Sequence, residues 1–171
     1  MLCKNIIILV LVAAVLMSSV AGAADISASK GIFAKGKFNG RLVGGFGSSY
    51  GSDYFILGAG LNYNILDGLY AGLDFETWLG GTPSINNLSP SIGYVFWQVE
   101  KVKPYLAGFY RKTWVGGEWS DLEHLGARFG VYFASGRTWL GIGGVYEYLL
   151  TDGVYAEQSN VYPQLSVVVG F

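Results

Sequence analysis

The chain has 171 residues, of which 51% are hydrophobic, 16% aromatic and only 13% charged, with a formal net charge of −1. This composition excludes an intrinsically disordered chain, and 11 basic against 12 acidic residues exclude a basic surface for nucleic acid. The single cysteine, Cys3, excludes a disulfide framework, and one domain is expected at this length.

Residues 1–23 have the layout of a secretory signal peptide. Lys4 supplies a positive start, residues 6–17 form an unbroken apolar run, and Ala21 and Ala23 frame a cleavage site before Ala24. The run is too short for a membrane-spanning helix, and an uncleaved anchor is the alternative. We therefore predict export, with residues 24–37 as a short N-terminal periplasmic segment.

From residue 38 onward, apolar residues recur at every second position, which is the period of a β-strand with two unlike faces. In residues 69–78, for example, apolar side chains alternate with glycine, Asp74 and Glu76. Eight strands are predicted, at residues 38–47, 54–65, 69–78, 88–97, 104–114, 123–134, 138–149 and 160–171. Short connectors at 66–68, 98–103 and 135–137 alternate with mostly longer ones at 48–53, 79–87, 115–122 and 150–159, a pattern typical of a hairpin-built membrane barrel.

The less apolar face of these strands is rich in glycine and carries few charges. It would coat a water-soluble barrel poorly, but it suits the narrow interior that eight strands enclose. The predicted interior charges, three of each sign as expected for groups that pair with one another, are Arg41, Asp74, Glu76, Lys112, Arg128 and Glu147. The bulky residues predicted to fill the remaining interior are Tyr70, Trp78, Tyr110, Tyr132 and Trp139.

Aromatic residues gather toward the strand ends, as they do where a barrel meets the two membrane interfaces. At the end with long loops they are Tyr54, Phe55, Trp78, Trp114, Trp119, Tyr148 and Tyr155; at the other end they are Tyr63, Tyr70, Phe96, Trp97, Tyr105, Phe133, Trp139 and Phe171. We predict an all-β fold, an eight-stranded antiparallel up-and-down transmembrane β-barrel over residues 38–171. A lipocalin-like soluble barrel, with its apolar face inward, is the alternative.

In architecture and in its last strand, the chain resembles the small eight-stranded outer-membrane barrels of the OmpA-transmembrane-domain and OmpX type. In that family, a C-terminal aromatic residue behind alternating apolar residues is the recognition signal for the barrel-assembly machinery. The positions that fit this signal are Leu165, Val167, Val169 and Phe171. The resemblance implies a monomer in the bacterial outer membrane, in contact with membrane lipids and lipopolysaccharide.

Arg111 belongs to a strand whose outward face is predicted to carry Tyr105, Ala107 and Phe109. On that face, Arg111 is expected near the upper rim, where its planar guanidinium suits lipopolysaccharide phosphates. The alternative is a shift in strand phase that turns Arg111 inward.

A catalytic role is not favoured by the sequence. His124, the only histidine, lies beside Glu123 and near Ser120 and Asp121, which suggests a Ser/His/acid hydrolase. Lipid A deacylase barrels, however, place a serine two residues after the histidine, where this chain has Gly126. We predict no catalytic, metal-binding or cofactor-binding residues. The expected function is a structural or surface-interaction barrel with a filled interior. The alternatives are a small porin and, less favoured, a lipid-modifying enzyme.

Overall fold

A computed structural model of the protein describes residues 30–99, 101–135, 138–151 and 158–171, so the predicted signal peptide lies outside the described residues. The described chain forms one 3-10 turn, Gly31–Phe33, followed by eight strands: β1 (Phe38–Ser49), β2 (Ser52–Asn64), β3 (Leu69–Leu79), β4 (Ile85–Val95), β5 (Val102–Val115), β6 (Leu122–Ser135), β7 (Thr138–Leu149) and β8 (Ser159–Gly170). Each pairs antiparallel with its sequence neighbours in a closed barrel, which confirms the predicted fold.

The barrel closes between its first and last strands. Strand β1 pairs with β8 from Asn39 opposite Gly170 to Gly45 opposite Gln164. Strand β1 is rich in glycine and its pattern is the weakest of the eight, but closure satisfies backbone groups that an open sheet would leave unpaired at its edges. Because β1 pairs with both β2 and β8, it has a hydrogen-bonded neighbour on each side, as the other strands do.

Alternation along the strands divides the side chains between two faces. The outer face carries exposed apolar side chains all around the barrel, among them Leu42, Leu57, Leu61, Leu73, Phe75, Ile92, Leu106, Leu125, Phe129, Ile142, Val161 and Leu165. The inner face carries buried aromatic, aliphatic and polar side chains. This arrangement is the reverse of a water-soluble barrel, in which the apolar face points inward.

Three hydrophobic clusters occupy the described interior; two are extended layers, and the third is a small group of Val115, Leu122 and Leu149. The layer on the side of the chain termini, here called the termini-end layer, consists of Phe33, Tyr70, Val95, Tyr105, Ala107, Tyr132, Trp139 and Val168. The layer on the opposite side, the loop-end layer, consists of Tyr54, Ile56, Trp78, Ile85, Phe109, Val145 and Tyr162. Tyr70, Trp78, Tyr132 and Trp139 thus fill the interior as expected. Tyr54 and Tyr105 also point inward, so Tyr54, Tyr70, Trp78, Tyr105 and Trp139 do not belong to the outer aromatic girdles. Tyr155 lies outside the described residues.

Residues 30–37 bind to the barrel and do not leave it as a tail. The Phe33 ring packs 5.9 Å from that of Tyr132 and 5.4 Å from that of Trp139. The Phe33 carbonyl accepts a hydrogen bond from the backbone N–H of Gly68, and Lys30 forms an ion pair with Asp67. The hydrogen bond from Lys30 holds the pKa of the Asp67 carboxyl below its usual value. This segment therefore covers the termini end of the barrel.

Two of the predicted longer connectors are shorter in the structure. The connector between β3 and β4 covers residues 80–84 instead of 79–87, and the one between β1 and β2 differs most. Residues 48–53 were expected to form a longer loop, but β1 and β2 are joined by the two-residue turn of Tyr50 and Gly51, whose φ angles are 50° and 70°. Positive φ at both central residues is the geometry of a type I′ turn, which matches the twist of an antiparallel pair. The other connectors at this end, here called the loop end, join β3 to β4, β5 to β6 and β7 to β8.

We predict that Gly130 is required for the interior packing, whereas Gly44 is replaceable. A Cβ atom at Gly130 would lie 2.3 Å from the carbonyl oxygen of Ile142 and 2.9 Å from the Tyr105 hydroxyl, but one at Gly44 would meet nothing within 4 Å. Gly130→Ala should lower the free energy of unfolding by about 1–3 kcal/mol because of overpacking. Gly44→Ala should change it by about 0.5 kcal/mol or less. Urea titration of the folded barrel measures both, and equal effects would contradict the packing.

Candidate functional site: an ion network below a vestibule

Asp74 on β3 is the centre of one half of a buried ion network. Its carboxylate lies 2.6 Å from Nη2 of Arg41 on β1 and 2.7 Å from Nη1 of Arg128 on β6. All three side chains are almost completely buried. Asp74 therefore links strands that lie on opposite sides of the barrel, which the pairing of neighbouring strands does not connect directly.

Arg111 on β5 is the centre of the other half. It donates hydrogen bonds to Glu76 at 2.7 Å, to Glu147 at 2.6 Å and to the Tyr162 hydroxyl at 2.6 Å. Its Nε donates to the hydroxyl of Ser89 at 3.1 Å. The guanidinium is thus held from four other strands, β3, β4, β7 and β8.

The two halves are joined and their charges balance. Nη2 of Arg128 lies 3.2 Å from Glu76, which also binds Arg111. The guanidinium carbons of Arg111 and Arg128 lie 4.9 and 4.4 Å from the ring centre of Phe109. Three arginines thus face three carboxylates with no net charge. Because removing one partner leaves an uncompensated buried charge, which costs about 3–5 kcal/mol, the network depends on all its members.

The structure places five of the six predicted interior charges inside the barrel and moves the sixth outside. The five interior side chains are Arg41, Asp74, Glu76, Arg128 and Glu147. The expected interior residue Lys112 instead has a side chain that is 34% exposed and pairs with Glu123 at 3.3 Å. Arg111, expected to face outward toward lipopolysaccharide, is only 1% exposed and lies within the network. The two neighbouring cations therefore exchange their predicted faces.

The reason for this exchange is that β5 is apolar on both faces. Tyr105, Ala107 and Phe109 point inward, whereas Leu106 and Tyr110, the latter expected inside, are exposed. Alternation alone cannot assign such a strand, but directly paired residues of neighbouring strands share a face. Ala107 lies opposite Arg128. Because Arg128 points inward, Ala107 also points inward, and Arg111 shares its face since it lies an even number of positions further along β5. Pairing β5 with its neighbours would have revealed the phase.

A vestibule opens above the network at the loop end. It is a cavity of about 430 Å³. Arg111 and Glu147 lie at its floor, and the aromatic side chains that line it are Tyr50, Trp78 and Trp119. The rings of Tyr50 and Trp119 meet edge to face, with their centres 4.8 Å apart. The cavity has the size of a small-molecule pocket.

A chain of polar side chains lies beside this floor. Thr113 donates its hydroxyl hydrogen to Oδ1 of Asn87 at 2.7 Å, and Nδ1 of His124 lies 3.4 Å from the same hydroxyl oxygen. His124 therefore faces Thr113 and the vestibule, and the structure gives it no hydrogen bond to the nearby Ser120 or Asp121. Neither Asn87 nor Thr113 stands out in the sequence, because short polar residues on the inner face of a barrel form no distinguishing pattern.

The predicted assembly-signal residues lie at the end of the last strand. Leu165, Val169 and Phe171 are exposed on the outer face, Phe171 to 73%, and Val167 is intermediate. The backbone N–H of Phe171 donates a hydrogen bond to the carbonyl of Phe38. The C-terminal residue is therefore fixed through its backbone, while its ring is presented to the surroundings.

Among the described residues, no three His, Cys, Asp or Glu side chains are grouped as a metal ion would require. No helix within the described ranges is both long and apolar enough to cross a membrane.

Comparisons with known proteins identify the fold. No protein-family model matches the sequence, and a search of curated proteins finds no significant match. The N-terminal β-barrel domain of OprF from Pseudomonas aeruginosa superposes with a TM-score of 0.63 at 13% identity, covering 80% of this chain and 98% of that one. Neisserial surface protein A (NspA) gives a TM-score of 0.59 at 19% identity, covering 79% of this chain and 96% of that one. The resemblance to small eight-stranded barrels is confirmed as a likeness of fold.

We predict that neutralising Arg111 and Lys112 has opposite consequences although the two residues are adjacent. Arg111→Met leaves Glu147 and Glu76 short of a buried cation and should lower the free energy of unfolding by about 3–5 kcal/mol. Lys112→Met removes only a solvent-accessible ion pair and should cost about 1 kcal/mol or less. Urea titration in the same lipid or detergent compares the two variants. A larger effect at Lys112 would contradict the strand phase described above.

Proposed function

We propose that this barrel spans the bacterial outer membrane and is closed to solutes, with a structural or surface-interaction role in the cell envelope. The observation that carries this proposal is the combination of an apolar outer face with a filled, ion-paired interior. An apolar exterior requires surroundings other than water, and a filled interior leaves little room for transport.

The outer face supports the membrane location. Its exposed leucine, isoleucine and valine side chains surround the barrel between two sets of aromatic rings. On the side of the termini, the rings are Phe38, Tyr63, Phe96, Phe133 and Phe171; toward the loop end, they are Phe46, Trp114 and Tyr148. An apolar band flanked by aromatic rings is the pattern of outer-membrane barrels. Outer-membrane lipids and lipopolysaccharide are then the surroundings of this face.

The order of connectors supports an orientation. The start of β1, the end of β8 and the turns from β2 to β3, β4 to β5 and β6 to β7 share one end of the barrel, and we place this end in the periplasm. The loop end, with the vestibule, then faces the outside of the cell. In this orientation, residues 30–37 cover the periplasmic opening, and export by the signal peptide at residues 1–23 precedes insertion.

The closed interior is what favours a structural role over a small porin. A solute entering the vestibule meets Arg111 and Glu147 at its floor. Beneath them lie the Asp74 ion pairs and then the termini-end layer, which is covered by Phe33. Passage would require breaking several buried ion pairs at once, and each such loss is costly.

The expected result is that the folded protein gives no steady conductance in a planar lipid bilayer. The protein should first be shown to migrate differently before and after boiling, as a folded barrel does, so that silence in the bilayer reflects a closed pore and not failed insertion. Steady conductance from the folded wild-type protein would support the small-porin alternative and contradict the closed role.

A second expectation concerns assembly. We propose that Leu165, Val167, Val169 and Phe171 act as the recognition signal for the barrel-assembly machinery. Because the Phe171 ring is exposed, Phe171→Ala should slow insertion in cells while changing the free energy of unfolding by about 0.5 kcal/mol or less. Pulse-labelling of folded protein measures the rate, with Val161→Ala as a control on the same strand face, outside the signal. Equal insertion rates for wild type and Phe171→Ala would contradict the signal.

A further inference from the structure

We propose that Tyr50 and Trp119 form an aromatic lid, which closes the mouth of the vestibule and controls the entry of small molecules into it. The lid is the edge-to-face contact of these two rings, whose centres lie 4.8 Å apart. This inference goes beyond the closed-barrel function, which concerns the floor of the vestibule and the layer beneath it. It is based on where the two rings come from, on how deeply each is buried, and on the backbone of Tyr50.

The contact joins opposite sides of the loop end. Tyr50 belongs to the turn between β1 and β2, and Trp119 belongs to the connector between β5 and β6. In a closed barrel of eight strands in sequence order, these two connectors lie diagonally across the opening from each other. Both side chains line the same cavity. The contact between them therefore spans the mouth of the vestibule and does not merely follow its rim.

The two rings are buried to different degrees. The Tyr50 side chain packs against the loop-end layer and against the small group of Val115, Leu122 and Leu149. Trp119 has 47% of its surface exposed. Tyr50 therefore anchors the contact to the packed interior, and Trp119 is the part of the lid that a molecule from outside meets first.

The backbone of Tyr50 indicates that its side chain has a role at this position. Its φ angle of 50° lies in the left-handed region, which is costly for residues other than glycine, asparagine and aspartate. A type I′ turn favours an Asn-Gly pair, and Gly51 already supplies the glycine. Tyrosine therefore destabilises the turn, and its ring contacts offset this cost. Because a single aromatic pair is a weak contact, the lid can open while the barrel stays folded.

The test measures how fast a cysteine inside the vestibule reacts with a neutral thiol reagent, methyl methanethiosulfonate. His124→Cys supplies this cysteine, since His124 lines the cavity and is only partly buried. All proteins carry Cys3→Ser, which removes the one natural cysteine. Ser159→Cys, at an exposed position where β8 begins, is the reference for the reactivity of an open site. The full barrel is folded in detergent, and the rate at His124→Cys is divided by the reference rate.

Matched variants then open the lid without disturbing the barrel wall. Tyr50→Asn removes the ring and gives the turn its favoured Asn-Gly pair, so the barrel should resist urea at least as well as the wild type. The relative rate at His124→Cys should rise about three- to tenfold, as the loss of one aromatic pair shifts an equilibrium between closed and open forms. Trp119→Ala should raise it to a similar extent. The double variant should be about as fast as either single variant, because all three lack the same contact. Trp114→Ala, which removes an exposed ring outside the cavity, is the control and should leave the rate unchanged.

Several outcomes would overturn the proposal. Unchanged rates in folded Tyr50→Asn and Trp119→Ala would mean that the contact does not limit entry into the vestibule. A double variant whose rate multiplies the two single effects would mean that the rings act independently and not as one lid. An equal rise in Trp114→Ala would mean that the barrel loosens generally. None of these measurements depends on conductance or on insertion in cells, so failure here leaves the closed-barrel function standing.

Discussion

The arginines and carboxylates buried inside this narrow barrel must be paired with one another, and this requirement shapes the rest of the molecule. Three arginines and three carboxylates lie away from water, and a buried charge without a partner is strongly destabilising. Their pairs connect β1, β3, β5, β6 and β7 across the interior. Backbone pairing fixes each strand to its neighbours, but these contacts fix opposite walls to one another. The register of the whole barrel must therefore satisfy the network.

The layers on either side of the network give the two ends of the barrel different properties. Toward the termini, aromatic rings stack tightly and Phe33 completes the packing. Close approach of strands there depends on glycines such as Gly130 and Gly143, which leave space for the Tyr105 hydroxyl. Toward the loop end the packing is incomplete, and a cavity remains above Arg111. Among the described residues, the interior is thus tightly packed toward the termini and retains a cavity toward the loop end.

The ion network lies between these two ends of the barrel. As a floor, it separates the vestibule from the sealed layer, which is the physical basis for proposing a closed barrel. At the floor of the vestibule, Arg111 and Glu147 are paired with each other and carry no net charge.

The alternation of residue types along the chain is sufficient to predict the fold class, the number of strands and the faces of seven strands. Strict alternation with one glycine-rich, sparsely charged face fixes both the strand period and which face is inside, and it identified Arg41, Asp74, Glu76, Arg128 and Glu147 as interior charges. These inferences succeed because they depend on local periodicity, which each strand carries within its own residues.

The phase of β5, and hence the place of Arg111, follows from the pairing of β5 with its neighbours. Because β5 is apolar on both faces, its own residues do not show which face is inside. Its register with β6 shows it, since paired residues share a face. The vestibule likewise arises from residues far apart in the chain, such as Tyr50, Asn87 and Trp119. Contacts between distant strands depend on register and closure, and no periodicity within a single strand records them.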